Sequence, residues 1–235
     1  MRMETESRPR RWSVLAVAAC AIATVGMPPD GRISVPRGRA PLIDGRIDAA
    51  EWSGAFSARL SDGSTIRLRR DDRYLFLAIE SARAGFPTVC TDSGDVVNVF
   101  HASAALGRVA YERSPDGWTA RDRAFVFGMR NPDRSREAHA ERQRYLLEHR
   151  WVASTVRMGR GRQHELQIAL DYLSAGSPRI AIGFYAYANP RPLGMVWPES
   201  LRTTEDGCLD PELLRGNVPP HLLFGLDRWA ALSFP

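Results

Sequence analysis

From Thr65 onward the chain is cut into short stretches whose side chains change character at every second residue, with turn signals between them. Residues 65–69 put Ile66 and Leu68 on one face and Arg67 and Arg69 on the other, and Asp71-Asp72-Arg73 follows as a turn. A period of two belongs to a strand half-buried on a sheet, not to a helix. Residues 74–79 (YLFLAI) are nearly continuous apolar, as in a strand covered on both faces. The same reading gives strands at 95–101, 109–112, 124–129, 151–158, 164–169, 179–188 and 229–234, with Gly159-Arg160-Gly161-Arg162 as a hairpin signal. Helical signals are few: one turn around Trp52 at 48–55, a short helix at 135–147, and single turns at 171–175 and 211–214. Many short strands at even spacing predict an all-β chain, an antiparallel β-sandwich with one or two short helices.

Composition sets the outer bounds. With 235 residues, 44% hydrophobic and 25% charged, the chain is an ordinary globular one, long enough for a single domain with a sizeable core. All 32 basic residues are Arg, and acids are interleaved with them (Arg69-Arg70-Asp71-Asp72), so the net charge of +5 is spread rather than gathered. A nucleic-acid binder concentrates its cations on one face, and this pattern predicts no nucleic-acid partner.

Residues 1–26 read as an export signal. Arg2, Arg8, Arg10 and Arg11 precede an uncharged run from Trp12 to Gly26, and Pro28-Pro29-Asp30-Gly31 breaks it. Two cleavage routes fit: Val17-Ala18-Ala19-Cys20 resembles a lipobox that would leave Cys20 lipidated, and Ala21-Ile22-Ala23 suits ordinary signal peptidase. The expected location is the periplasm, outer envelope or extracellular space, with membrane attachment only through a lipid on Cys20 or an uncleaved signal. Residues 27–40, rich in Pro, Gly and Arg, read as a linker, and 41–235 as a single domain. Export leaves Cys90 and Cys208 as an even pair in an oxidising compartment, and a disulfide between them is expected.

Several segments, in order, resemble family 9 carbohydrate-binding modules and related DOMON-like sandwiches. They are Pro41-Leu42-Ile43-Asp44-Gly45-Arg46-Ile47-Asp48 with Glu51-Trp52, Ile66-Arg67-Leu68 with 74–79, and Gly94 to Phe100. Glu165 to Leu170, Ile182-Gly183-Phe184, Trp197, and Arg228-Trp229 to Phe234 complete the set. The resemblance implies a non-catalytic domain that binds a glycan end or another small extracellular ligand. In that family two Trp rings sandwich a sugar while planar polar groups bond its hydroxyls. Trp197 falls at one ring position, Arg108 at the family's Arg, and Asn189 near an Asn of the loop before Trp197. The first ring position holds Thr91-Asp92-Ser93-Gly94 instead, and Asn98 stands where the family has Glu. Trp118 or Trp151 is then the candidate second wall. The alternative reading is a structural or protein-interaction sandwich, with an envelope protein as partner, that has lost the sugar site.

Other chemistry is weaker in the sequence. There is no Gly-x-Ser-x-Gly, His-Glu-x-x-His or phosphate-cradling loop, so no catalysis is expected. No cofactor is expected either. A structural Ca²⁺ would draw on Asp44, Asp48 and Asp71, near the opening hairpins. Haem, which some DOMON-like sandwiches hold, would draw on His101, His139, His149, His164 or His221 with Met129, Met158 or Met195, none at diagnostic spacing.

Overall fold

A computed structural model describes residues 32–122, 124–130, 136–155, 161–187 and 193–235, with backbone alone at 126–130. The export segment, Cys20 and Asn189 lie outside the described residues. The strands are β1 (Ile33–Ser34), β2 (Phe56–Arg59), β3 (Thr65–Arg70), β4 (Tyr74–Glu80), β5 (Gly85–Asp92), β6 (Val96–Ala102), β7 (Ala105–Ser114) and β8 (Gly117–Ala120). They continue with β9 (Val126–Arg130), β10 (Trp151–Thr155), β11 (Gln163–Ala169), β12 (Arg179–Ala186), β13 (Leu193–Trp197), β14 (His221–Leu222) and β15 (Ala230–Ser233). Two α-helices accompany them, α1 (Arg136–His149) and α2 (Pro211–Arg215).

The strands form a sandwich of two sheets. The smaller runs β10-β11-β4-β3-β2, antiparallel throughout. The larger runs β1-β15-β12-β5-β6-β7-β8-β14, with β13 also on β12 and β9 also on β7. Between the sheets lies an inner core that includes Ile66, Leu68, Leu75, Leu77, Phe100, Trp151, Leu166, Ile182, Phe184 and Trp197. Helix α1 buries Ala138, Arg142, Tyr145 and Leu146, a single helical face by spacing, and Tyr145 meets Trp151 with ring centroids 5.7 Å apart.

The outer face of the large sheet is covered too. Residues 198–229 run across it as a strap, and Leu201, Cys208, Leu209, Leu213, Phe224 and Trp229 pack on Cys90, Val97, Val99, Val109 and Ala181. The expected disulfide is present: Cys90 of β5 bonds Cys208 of the strap, Cα atoms 6.1 Å apart and 118 residues apart in sequence. Double coverage explains why β5 has no alternation to read. All eight of its residues are buried. It also contains Pro87, one residue before the β5–β6 ladder opens at Thr88↔His101.

Two buried carboxylates buckle the structure by the same device. Glu165 of β11 accepts from Trp52 Nε1 at 2.9 Å, Gly45 N at 2.9 Å and Asp44 N at 3.1 Å. Gly45 has φ +83°, and a Cβ there would lie 2.4 Å from the Thr155 backbone, so the Asp-Gly turn admits no larger residue. Asp206 of the strap accepts from Trp229 Nε1 at 3.0 Å and from the backbone of Cys208 and Gly225 at 2.9 Å each.

One boundary is corrected. The expected linker at 27–40 is built into the sandwich from residue 33 onward. Strand β1 pairs parallel with β15, Val35 N donates to Ser233 O at 2.9 Å, and Val35 is fully buried.

Candidate functional site

The residues expected at the sugar site do not assemble into one. Trp197 is 4% exposed and belongs to the inner core. Trp118 is also 4% exposed, but it lies in the outer core against Phe224, with the Arg113 guanidinium over its ring at 4.6 Å. The two rings are therefore on opposite faces of the large sheet. Neither offers an open face for stacking, which corrects the expectation of exposed Trp platforms. Trp151 is fully buried in the inner core as well. The physical reason is sheet parity. Met195 and Trp197 share the inward face of β13, while Val196 between them faces the strap.

Arg108 and Asn98 are brought together. Arg108 Nη1 donates to Asn98 Oδ1 at 2.8 Å, and Asn98 Nδ2 donates to Ser93 Oγ at 3.2 Å. The Arg108 guanidinium also lies over the Tyr172 ring at 5.0 Å, and Tyr172 OH donates to His149 O at 2.9 Å. Asn98 is buried and Arg108 half-buried. The pair thus forms a polar network at the rim of the inner core, with Arg108 held by Asn98 and by the Tyr172 ring.

An aromatic surface opens elsewhere. Along β12, Ile180, Ile182 and Phe184 face the inner core, so Tyr185 points the other way, and Tyr187 just past the strand end lies two residues on. Tyr185 stands opposite Phe86 of β5 in the strand register. The two rings stack at 5.1 Å with an interplanar angle of 13°. Tyr187 meets Phe86 edge-on at 5.4 Å and Tyr185 at 5.8 Å. Beneath, His101 of β6 meets Phe86 edge-on at 4.9 Å, and its Nδ1 lies 3.1 Å from Thr88 Oγ1. Phe86 is thus the buried base of a shelf whose outer rings are Tyr185, half-buried, and Tyr187, 49% exposed.

A hollow of about 330 Å³ lies at this shelf, lined by Phe86, Ser103, Ala104, Tyr185, Tyr187 and Arg215. That is small-molecule size. A larger hollow of about 470 Å³ lies on the strap, with Leu193, Leu209, Leu222 and Leu223 in its wall and, among the described residues, no Phe, Tyr or Trp. Its Asp206 and Asp210 are engaged as backbone caps, Asp210 Oδ1 accepting from Glu212 N and Leu213 N. Size alone favours the strap hollow, but of the two the shelf carries the Phe and Tyr rings, Phe86, Tyr185 and Tyr187.

Sequence reasoning missed the shelf, although its signal was present. Residues 179–188 alternate, and the alternation that sends Phe184 inward sends Tyr185 and Tyr187 outward together.

The remaining candidates are dispersed. Asp44, Asp48 and Asp71 each accept local backbone N–H bonds in turns, from Arg46, Ala50 and Arg73 respectively. Among the described residues no group of three or more His, Cys, Asp or Glu gathers at metal-binding distance. His101 and His164 are buried, and burial pushes each ring down to about 4, so both are neutral near pH 7. His164 Nε2 lies 3.2 Å from Gly161 O. Met195 is in the inner core, whereas His139 and His221 are on the surface. The side chains of Met129 and Met158 lie outside the described residues. Among the described residues no helix is long and apolar enough to cross a membrane.

No protein-family model and no curated protein sequence matches the chain. Two solved structures are similar in fold. One is a candidate carbohydrate-binding protein from Bacteroides uniformis, 13% identical, covering 87% of this chain and 99% of that one, with a TM-score of 0.44. The other is a family 9 carbohydrate-binding module from Caldicellulosiruptor kristjanssonii in complex with cellotriose, 15% identical, covering 70% of this chain and 81% of that one, with a TM-score of 0.34. Likenesses this distant carry no ligand across to this chain.

Proposed function

We propose that this protein is an exported, non-catalytic β-sandwich that binds a glycan, and that the glycan lies on the Tyr185–Tyr187 shelf. The stacked shelf rings beside a 330 Å³ hollow are the observation that carries the reading. A pyranose presents an apolar C–H face and a rim of hydroxyls. Tyr rings supply the matching face, and their hydroxyls with Ser103 supply hydrogen bonds. Among the described residues the hollow's lining contains no carboxylate, thiol or imidazole. The Cys90–Cys208 disulfide supports export, because such bonds persist in oxidising compartments.

A second reading has an observation of its own. Trp197 and Trp118 are buried and Arg108 is engaged with Asn98, so the sandwich can also be a scaffold for an envelope protein partner. A glycan array probed with the full chain, disulfide intact, separates the two. A saturable hit lost in Tyr187→Ala supports the glycan reading. No hit across neutral and charged oligosaccharides leaves the scaffold.

A further inference from the structure

Among the described residues the hollow at the aromatic shelf has one charged side chain in its lining, Arg215, and the fold holds it in place. Arg215 ends α2, a five-residue helix started by the Asp210 cap and Pro211. Gly216 closes the helix in the left-handed conformation, φ +92°. A Cβ at Gly216 would lie 3.2 Å from His101 Nε2, so the helix end presses directly onto the ring beneath Phe86. Leu213 of α2 packs in the outer core, and the Cys90–Cys208 disulfide fastens the strap just before the helix. The same sandwich layer therefore fixes both the rings and the cation.

The guanidinium is only partly engaged. Arg215 Nη1 donates to Glu212 Oε1, while Glu212 Oε2 accepts from Asn217 Nδ2 at 2.7 Å. Among the described residues Nη2 and Nε of Arg215 have no hydrogen-bond partner, and the side chain is 47% exposed. A permanently charged planar fork with free N–H groups, beside hydroxyls and ring faces, matches a carboxylate set on a sugar ring.

We propose that the shelf selects acidic glycans, with Arg215 binding the carboxylate of a uronate residue whose ring stacks on Tyr187. The inference rests on the shelf being the glycan site. It names the ligand class and makes Arg215 the specificity-determining residue. The exposed guanidinium makes the preference weaken as salt rises.

The test is calorimetric titration of the full chain with oligogalacturonate and with its methyl ester, which keeps ring and hydroxyls but removes the charge. The acid binds roughly tenfold or more tighter than the ester at low salt. Arg215→Gln removes that margin, Arg215→Lys restores part of it, and Tyr187→Ala removes binding of both. Equal binding of acid and ester, lost in Tyr187→Ala, overturns the acidic preference and keeps the shelf. Capture of a neutral glycan through Tyr187 with no uronate binding does the same. Binding unaffected by Tyr187→Ala, or no glycan binding at all, overturns the shelf and the preference together.

Discussion

The Trp rings and the Tyr shelf sit on the same large sheet and have opposite fates. Trp197 and Trp118 are each 4% exposed, on opposite faces, closed in by the inner core and by the strap. Tyr187 is 49% exposed, on a base of Phe86 and His101. The difference is one of coverage. The inner face is covered by the second sheet and much of the outer face by the strap, and Tyr187 stays exposed beside the hollow that Arg215 of α2 also lines. A Trp at a family-like sequence position is therefore core here, while two Tyr with no such position make the open surface.

The largest effect expected is on stability. Trp197→Ala removes a fully packed indole from the inner core and costs about 3–5 kcal/mol, read by denaturant unfolding. Loss of the disulfide by Cys208→Ala releases a cross-link over 118 residues and costs about 2–5 kcal/mol in the same assay.

Acid weakens the fold next. His101 and His164 have folded-state values lowered to about 4, so the unfolded chain binds more protons between pH 6.5 and that point. Their stabilisation is full above pH 6.5 and is lost as pH falls through about 4. Glu165 acts in the opposite sense. Burial pushes it up to about 7 despite the three N–H groups it accepts, so its contribution falls as pH rises from the usual carboxylate range to about 7. Two His outweigh one Glu, and a net loss of melting temperature is expected from pH 6.5 to 4. His101→Phe, which has no ring to protonate, makes that loss shallower.

Smaller effects sharpen the contrast. Arg108→Ala breaks the bond to Asn98 and the contact with Tyr172 and costs about 1–2 kcal/mol, with glycan binding retained. Tyr187→Ala, at an exposed position, costs under about 1 kcal/mol and yet removes glycan binding, read by the array or by calorimetry.

Much of the fold was legible because it rests on local periodicity. Residues 65–69, 74–79, 164–169 and 179–188 correspond to β3, β4, β11 and β12, and the expected helix at 135–147 corresponds to α1. The opening Asp-Gly and Trp52 are explained by one buried acid, Glu165, 113 residues beyond Trp52. That partnership is a tertiary fact no window on the chain can reveal. The central strand β5 was missed because coverage on both faces erases alternation. Segment 33–40 was missed because two residues pairing with β15 are too short to show a period. The site was less legible than the fold. Its outer rings are neighbours in sequence, but Phe86, Ser103 and Arg215 reach them from β5, the β6–β7 turn and the strap. Arg215 is placed by a disulfide and a helix cap, which depend on the finished fold.

The most direct measurement of the central claim is the NMR response of Trp and Tyr rings as the full chain is titrated with an array hit. The account predicts that the Tyr185 and Tyr187 ring resonances shift to saturation while the Trp118 and Trp197 indole N–H resonances stay in place. Saturable shifts at Trp197 with both tyrosines unmoved would contradict it and return the site to the family-like position.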